Sequence, residues 1–310
     1  ITDLAYRLNY DIKDLLGNQP ESYEELFSPA TILSSNTVTI TDIRKLVMDI
    51  QGVKNAWVSK ITSDSTSSIG DNPENKTPKG LYQASVEIDD LVENSGNFLG
   101  RIRKRLQNSR GLCEDFEEVR ILIKQSIRLE GSMTISEDAE DINQLVADVL
   151  FRIKQHFSPD ITFYTLQQMM EKGKRVDEIF DGPILEHGFI DSSDLAKHSR
   201  KTEIHASDII KEIMDVPNVL SVQKIALVSG SSISKNWVFP LDKAKVPAFD
   251  EKASLGNFTF HVNGLQTEIN KEQVLQLFNQ KVLELGSKKP LSASQKDIPI
   301  TMGTDTRIAN

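Results

Sequence analysis

The chain has 310 residues, 38% hydrophobic and 26% charged, with a formal net charge of −9 and a single cysteine, Cys113. That length suffices for two or three domains, while the negative charge is a poor match for nucleic acid, whose binding is dominated by phosphate contacts. One cysteine excludes an internal disulfide framework and suits folding in a reducing cytoplasm, and no apolar run approaches the roughly 20 residues a bilayer crossing needs.

The first segment, "ITDLAYRLNYDIKDLLG", is amphipathic without a basic and then apolar leader pattern, so a helix is expected over Asp3–Leu16, stopped by Gly17, and not a signal peptide. The sequence opens without a methionine, so Ile1 need not be the first residue of the gene product. "TVTI" reads as a strand and leads into "DIRKLVMDIQGV", residues 42–53, which is nearly repeated as "DIIKEIMDVPNV" at 208–219. At an offset of 166, Asp42, Ile43, Lys45, Met48, Asp49 and Val53 match Asp208, Ile209, Lys211, Met214, Asp215 and Val219. Thr41 and Ser207 stand before the aspartates as expected N-caps. Ile43, Val47 and Ile50, like Ile209, Ile213 and Val216, recur at i, i+4 and i+7 and mark one buried helical face. Gly52 and Asn218 suit the left-handed conformation that ends a helix. Strand-like "VKNAWVSKI" and "VLSVQKIAL" follow, and "TEIHA" precedes the second copy as "TVTI" does the first. Identity at the polar pairs Lys45/Lys211 and Asp49/Asp215 is not demanded by periodicity, so a duplicated strand–helix–strand unit is expected.

Between and after the copies, residues 62–80 are polar and rich in Ser, Pro and Gly, and read as a loop. "LYQASVEI" is a strand, a helix spans about Asn97–Arg110, and residues 119–135 read as two strands in succession. Ser136 is the expected cap of a long helix ending at Ser158-Pro159. "ITFY", a helix between Thr165 and Gly173, a connector "VDEIFDGPILEHGFID" and a helix at 192–198 lead into the second copy. A polar stretch at 229–256 separates a last piece, in which Asn263-Gly264 signals a type I′ hairpin before a helix over Lys271–Leu285. The last 24 residues hold no pattern able to close a core. The expected fold is α+β: several small mixed α/β modules with the duplicated unit, joined by polar loops. Its divisions are 1–61, a loop at 62–80, a central region 81–228, a linker 229–256, and a further α/β domain from 257–310 that breaks off.

The chemistry-bearing motifs are absent: no Gly-rich phosphate loop, no G-x-G-x-x-G after a strand, no H-E-x-x-H and no G-x-S-x-G. Glu186-His187 with His198 and His205 has no metal-ligand spacing, and His156 and His261 stand apart, so no metal and no cofactor are expected. Glu137, Asp138, Glu140 and Asp141 read as first-turn carboxylates offsetting a helix dipole. Cys113 is expected to be a small buried apolar residue and not a reactive thiol. Arg101, Arg103, Lys104 and Arg105, in "RIRKRLQNSR", make a basic helix face. It is a candidate surface for an acidic protein partner, set against an idle solvated face. No nucleic-acid motif or aromatic residue accompanies it.

Four segments carry a family resemblance: "RLQNSRGLCEDFEEVRIL", "IRLEGSMTISEDAEDINQLVADVLFRIKQHFSPDITFYTL", "VDEIFDGPILEHGFID" and "IHASDIIKEIMDVPNVLSVQKIAL". In this order they resemble the baseplate J-like proteins of phage tails and contractile injection systems, the large form of antifeeding-prophage and virulence-cassette particles above all. The ending "DIPITMGTDTRIAN" resembles an internal stretch of those proteins, which continue much further. The resemblance covers about residues 1–228 and the end of the chain.

It implies a non-catalytic wedge subunit of a sixfold baseplate, made and assembled in the bacterial cytoplasm. Such a subunit links hub and spike to the sheath and relays the contraction trigger. The implied partners are other wedge proteins, sheath-initiator and hub or spike proteins, and neighbouring copies of the chain. Nucleic acid and direct membrane insertion are not implied. The alternative is a cytoplasmic α/β enzyme or ligand-binding regulator, which would need a pocket with convergent polar groups.

Overall fold

A computed structural model describes residues 28–61, 80–89, 97–230, 232–233, 237–285 and 296. The expected helix at Asp3–Leu16, all but Gly80 of the polar loop 62–80, and all but Lys296 of the chain after Leu285 lie outside the described residues.

The first body is built on a three-stranded sheet. After α1 (Pro29–Leu33) and α2 (Ile40–Met48) come β1 (Val53–Lys60) and β2 (Leu81–Ile88), which pair antiparallel. Next, α3 (Phe98–Asn108) crosses over to β3 (Asp115–Ile121), which lies parallel to β2. The crossover helix is amphipathic in the simplest way. Phe98, Ile102 and Leu106 recur at i, i+4 and i+8 and are its buried residues, leaving the cations between them outside. They share a core with Ile43, Val47 and Met48 of α2 and Ala84 and Val86 of β2.

The second body grows from one long strand, β4 (Ile123–Ile135). Leu122 joins the two bodies, its N–H donating to the Val86 carbonyl at 2.8 Å before the chain passes into β4. The elements that follow are α4 (Ile142–Phe157), α5 (Leu166–Glu171), α6 (Val176–Ile179), α7 (Ser192–Lys197), β5 (Glu203–His205), α8 (Ala206–Met214) and β6 (Val219–Ser229). After them come β7 (Ser232–Ile233), β8 (Val238–Pro240), β9 (Lys245–Phe249), α9 (Glu251–Asn257), β10 (Phe258–Val262), β11 (Leu265–Gln266) and α10 (Lys271–Leu285).

In the main sheet the order is β11-β10-β4-β6-β7, with β9 paired to the first half of β4. β6 runs antiparallel to β4, whereas β9 and β10 run parallel to it. Ile127, Leu129, Met133 and Ile135 alternate along β4 onto a core shared with α4, α8 and, from α10, Val274 and Phe278. At Gly131 the β4–β6 register slips, and Lys224 opposite takes φ 56°. A Cβ on Gly131 would lie 3.1–3.3 Å from the Phe258 ring and the carbonyls of Gln223 and Lys224, so a bulge and a glycine share one crowded spot.

The duplication is present as helix, turn and strand. In both copies the aspartate after the helix caps it in αR conformation, its N–H meeting carbonyls at matching positions, Lys45 and Val47 or Lys211 and Ile213. The turns then repeat bond for bond. Val53 N–H donates to the Ile50 carbonyl, and Val219 N–H to that of Val216. Gly52 and Asn218 carry the positive φ of 93° and 69°. Each helix packs on the strand that follows it, but the strands belong to different sheets.

Several expectations need correction. "TVTI" is no strand, since no strand pairs with it among the described residues, where the second copy alone has one, β5, paired with β8. The caps fall two residues earlier than read. Thr39 forms a reciprocal capping box with Asp42, and His205 stands at the second N-cap with no side-chain capping bond. Ser136 opens a turn, and α4 starts six residues later under Asp141, which accepts from Asn143 and Gln144 N–H. Glu137, Asp138 and Glu140 therefore precede the helix. "ITFY" contributes a single bridge, Tyr164 with Phe189. The 229–256 stretch holds β8, β9 and α9 instead of a plain linker, with Phe239, Val246 and Leu255 buried. The piece after 257 adds β10 to β4 and α10 to α4, within the same core. The α+β class and the hairpin turn, with Asn263 and Gly264 at φ 54° and 77°, are as read.

Candidate interaction surface

The polar residues repeated in the sequence are anchors in the first unit. The connector from Phe180 to Asp191 lies across α2, and Asp49 grips it from below. The Asp49 carboxylate accepts from the Glu186 N–H at 2.7 Å and the His187 N–H at 3.0 Å, and its oxygen stands 2.9 Å from His187 Nδ1. Lys45, 6% exposed, is pulled down from the ordinary lysine value by burial, against the opposing fields of Asp42, Asp181 and Asp191. Gly182, at φ 99°, lets the connector come close, since a Cβ there would sit 2.9 Å from an Asp42 oxygen. Leu185 and Ile190 then fill the same core as Val47 and Met48.

Two further charged groups tie the connector's ends. Arg44 donates to the carbonyls of Ala56, Leu195 and His198 and to Asn55 Oδ1, so one guanidinium from α2 ties the C-terminal end of α7 to β1. Burial brings its pKa to about 10, which leaves it charged at neutral pH. Asp191 is held well below the ordinary carboxylate range. Burial opposes this, but Lys172, Ser193 and Lys174 outweigh it.

The basic helix divides. Arg101 lies with its guanidinium 4.9 Å from the Phe98 ring centre. Arg105 stands 3.6 Å from both Asp49 and Glu186 and so fastens the connector. Arg103 and Lys104 are exposed. Beyond Arg105 an open groove of about 710 Å³ runs between residues 34–37, the end of α3 and Pro183-Ile184. Its rim carries Arg110 and the apolar Leu112 and Ile184, which are 95% and 55% exposed. Exposed apolar groups of this kind beside cations are what a protein–protein contact uses.

Among the described residues no three His, Cys, Asp or Glu side chains are grouped to hold a metal ion. His187 is held by Asp49, His156 faces Glu212 at 3.6 Å, and His205 faces Glu203 at 3.1 Å. Cys113 corrects its expectation: it is exposed, in the tight turn before β3 at φ 63°, where it cannot reach the core. A cavity of about 90 Å³ lies where the bodies meet, beside Asn55, Trp57, Glu87 and Ser158. Glu87 is 3% exposed and accepts from Ser158 Oγ at 2.5 Å. No described helix is long and apolar enough to cross a membrane.

The sequence signal for the missed anchors was present. The polar identities at Lys45 and Asp49 marked the duplication, but their burial depends on a connector 137 residues further on.

Residues 124–265 match the family described as the baseplate wedge Pvc12-like domain 3. Among solved structures, a chain from "Cryo-EM structure of the anti-feeding prophage (AFP) baseplate, 6-fold symmetrised" has a similar fold, with TM-score 0.64 and 18% identity. That match covers 96% of this chain and 54% of the other, so the present chain spans about half of it. No curated protein matches.

Proposed function

We propose that the chain is a structural wedge component of the baseplate of a phage-tail-like contractile injection particle. The observation that carries this is the match of residues 124–265 to a baseplate wedge domain, since those residues form β4, β6, β9 and β10, the strands around which the second body is organised. The similar fold in the anti-feeding prophage baseplate extends the same reading over the first body.

In this reading the chain assembles in the bacterial cytoplasm and sits between neighbouring wedge proteins, hub or spike, and sheath-initiator proteins. It passes on the contraction trigger through rigid-body contacts. Copies around a sixfold axis would meet through unlike surfaces that close by rotation. Arg101, Arg103 and Lys104, with the adjoining groove, are then a contact for an acidic neighbour, and Arg105 braces it from inside. No residue carries a catalytic role, and no cofactor is needed.

The test is deletion of the gene followed by electron microscopy of the particles. Loss of baseplates, restored by the gene in trans, supports the reading, and normal particles without the chain overturn it.

A further inference from the structure

The two repeated units share four residues at positions i, i+3, i+6 and i+7, which fall within one third of a helix circumference. In the first unit Asp42, Lys45, Met48 and Asp49 are all buried, because the connector covers them. In the second unit Asp208, Lys211, Met214 and Asp215 are all exposed. Met48 is 0% exposed, whereas Met214 is 41% exposed. The helices end identically and turn into their strands through the same hydrogen bonds, so the two faces are built alike. The N-caps differ, since Asp42 completes a capping box that Asp208 does not, and so does the cover.

We propose that the exposed face of α8 is a docking site for a loop of another protein in the assembly, with the chemistry of this chain's own connector. That chemistry can be read from the first unit. It comprises a glycine turn close to the first aspartate, an apolar side chain over the methionine, and two successive backbone N–H groups with a histidine or cation for the last carboxylate. The second face offers the complementary set. Asp215 is a free acceptor among the described residues, and Lys211 lies between two carboxylates. Asp208 also acts on Lys201, whose pKa it raises against the larger lowering by burial.

A second copy of this chain does not fit the site. Its described segment with this chemistry, 181–187, is already held by its own Asp49. Among the described residues no other segment carries this chemistry, so we assign the site to a loop of a different chain; the inference rests on this protein being an assembly subunit.

The experiment replaces Met214 with the photocrosslinking residue p-benzoylphenylalanine in the full chain, irradiates purified particles and maps adducts by mass spectrometry. The expected adduct lies on a loop of a different particle protein, and Asp215→Asn reduces retention of that protein about tenfold. The unfolding midpoint of the isolated Asp215→Asn chain should stay within about 1 °C of the parent, since the side chain supports nothing inside the fold. An absent adduct overturns the proposal, as does an adduct to a second copy or to this chain itself, or unchanged retention in Asp215→Asn. A chain missing from purified particles instead overturns the baseplate reading, and the docking proposal falls with it.

Discussion

Asp49 and Asp215 occupy the same place in two copies of one helix end, yet their energetic weights differ. Removing the Asp49 carboxylate leaves the buried His187 N–H, the part-buried Glu186 N–H and the His187 ring without their acceptor. Asp49→Ala is expected to lose about 3 kcal/mol in urea unfolding, and Asp215→Ala no more than about 0.5 kcal/mol in the isolated chain.

Glu87 is the second group to test at this scale. Burial raises its carboxyl above the ordinary value of 4.5, against Lys54, the Ser158 hydroxyl and Lys124, with Asp160 adding to the rise. The folded state thus holds the proton more tightly than the unfolded chain. This contribution is complete below pH 4.5 and is lost as pH rises through the raised value. Glu87→Gln should therefore gain stability relative to the parent between pH 4 and pH 8 in paired thermal melts. An unchanged difference across that range would remove the assigned cause.

Among the elements, those whose pattern is complete within themselves were legible. The strand Leu81–Ile88 and the helix Lys271–Leu285 stand at the residues read for them, because alternation and caps are local. "TVTI" has strand composition but no partner among the described residues, and β9 has a partner but little strand composition. Pairing of β9 with β4 joins residues about 120 apart, which no window of sequence displays. The long strand β4 also hides its bulge. Gly131→Ala should cost about 1–3 kcal/mol, because backbone carbonyls and the Phe258 ring border the site and cannot all withdraw. Denaturant unfolding measures it, and a neutral result would mean the bulge relaxes.

At the scale of the whole molecule, Leu122 links the two main cores, Arg44 and the connector fasten α7 and residues 180–191 onto the first of them, and the basic face of α3 stays outside both. Arg103 and Lys104 can be changed without disturbing either core. The double variant Arg103→Glu, Lys104→Glu is expected to unfold within about 0.5 kcal/mol of the parent and to lower particle yield at least tenfold. Normal yield would show that this face meets no acidic neighbour. Arg105 is unsuited to that test, since it braces Asp49 and Glu186.

The amino-acid order alone established the α+β class, the repeated helix, turn and strand, and the lack of catalytic motifs, since each is written in local spacing. Which copy's shared face is covered was decided by tertiary structure. One carboxylate bonds amides 137 residues away and its twin meets solvent, a difference that depends on the long-range path of the chain.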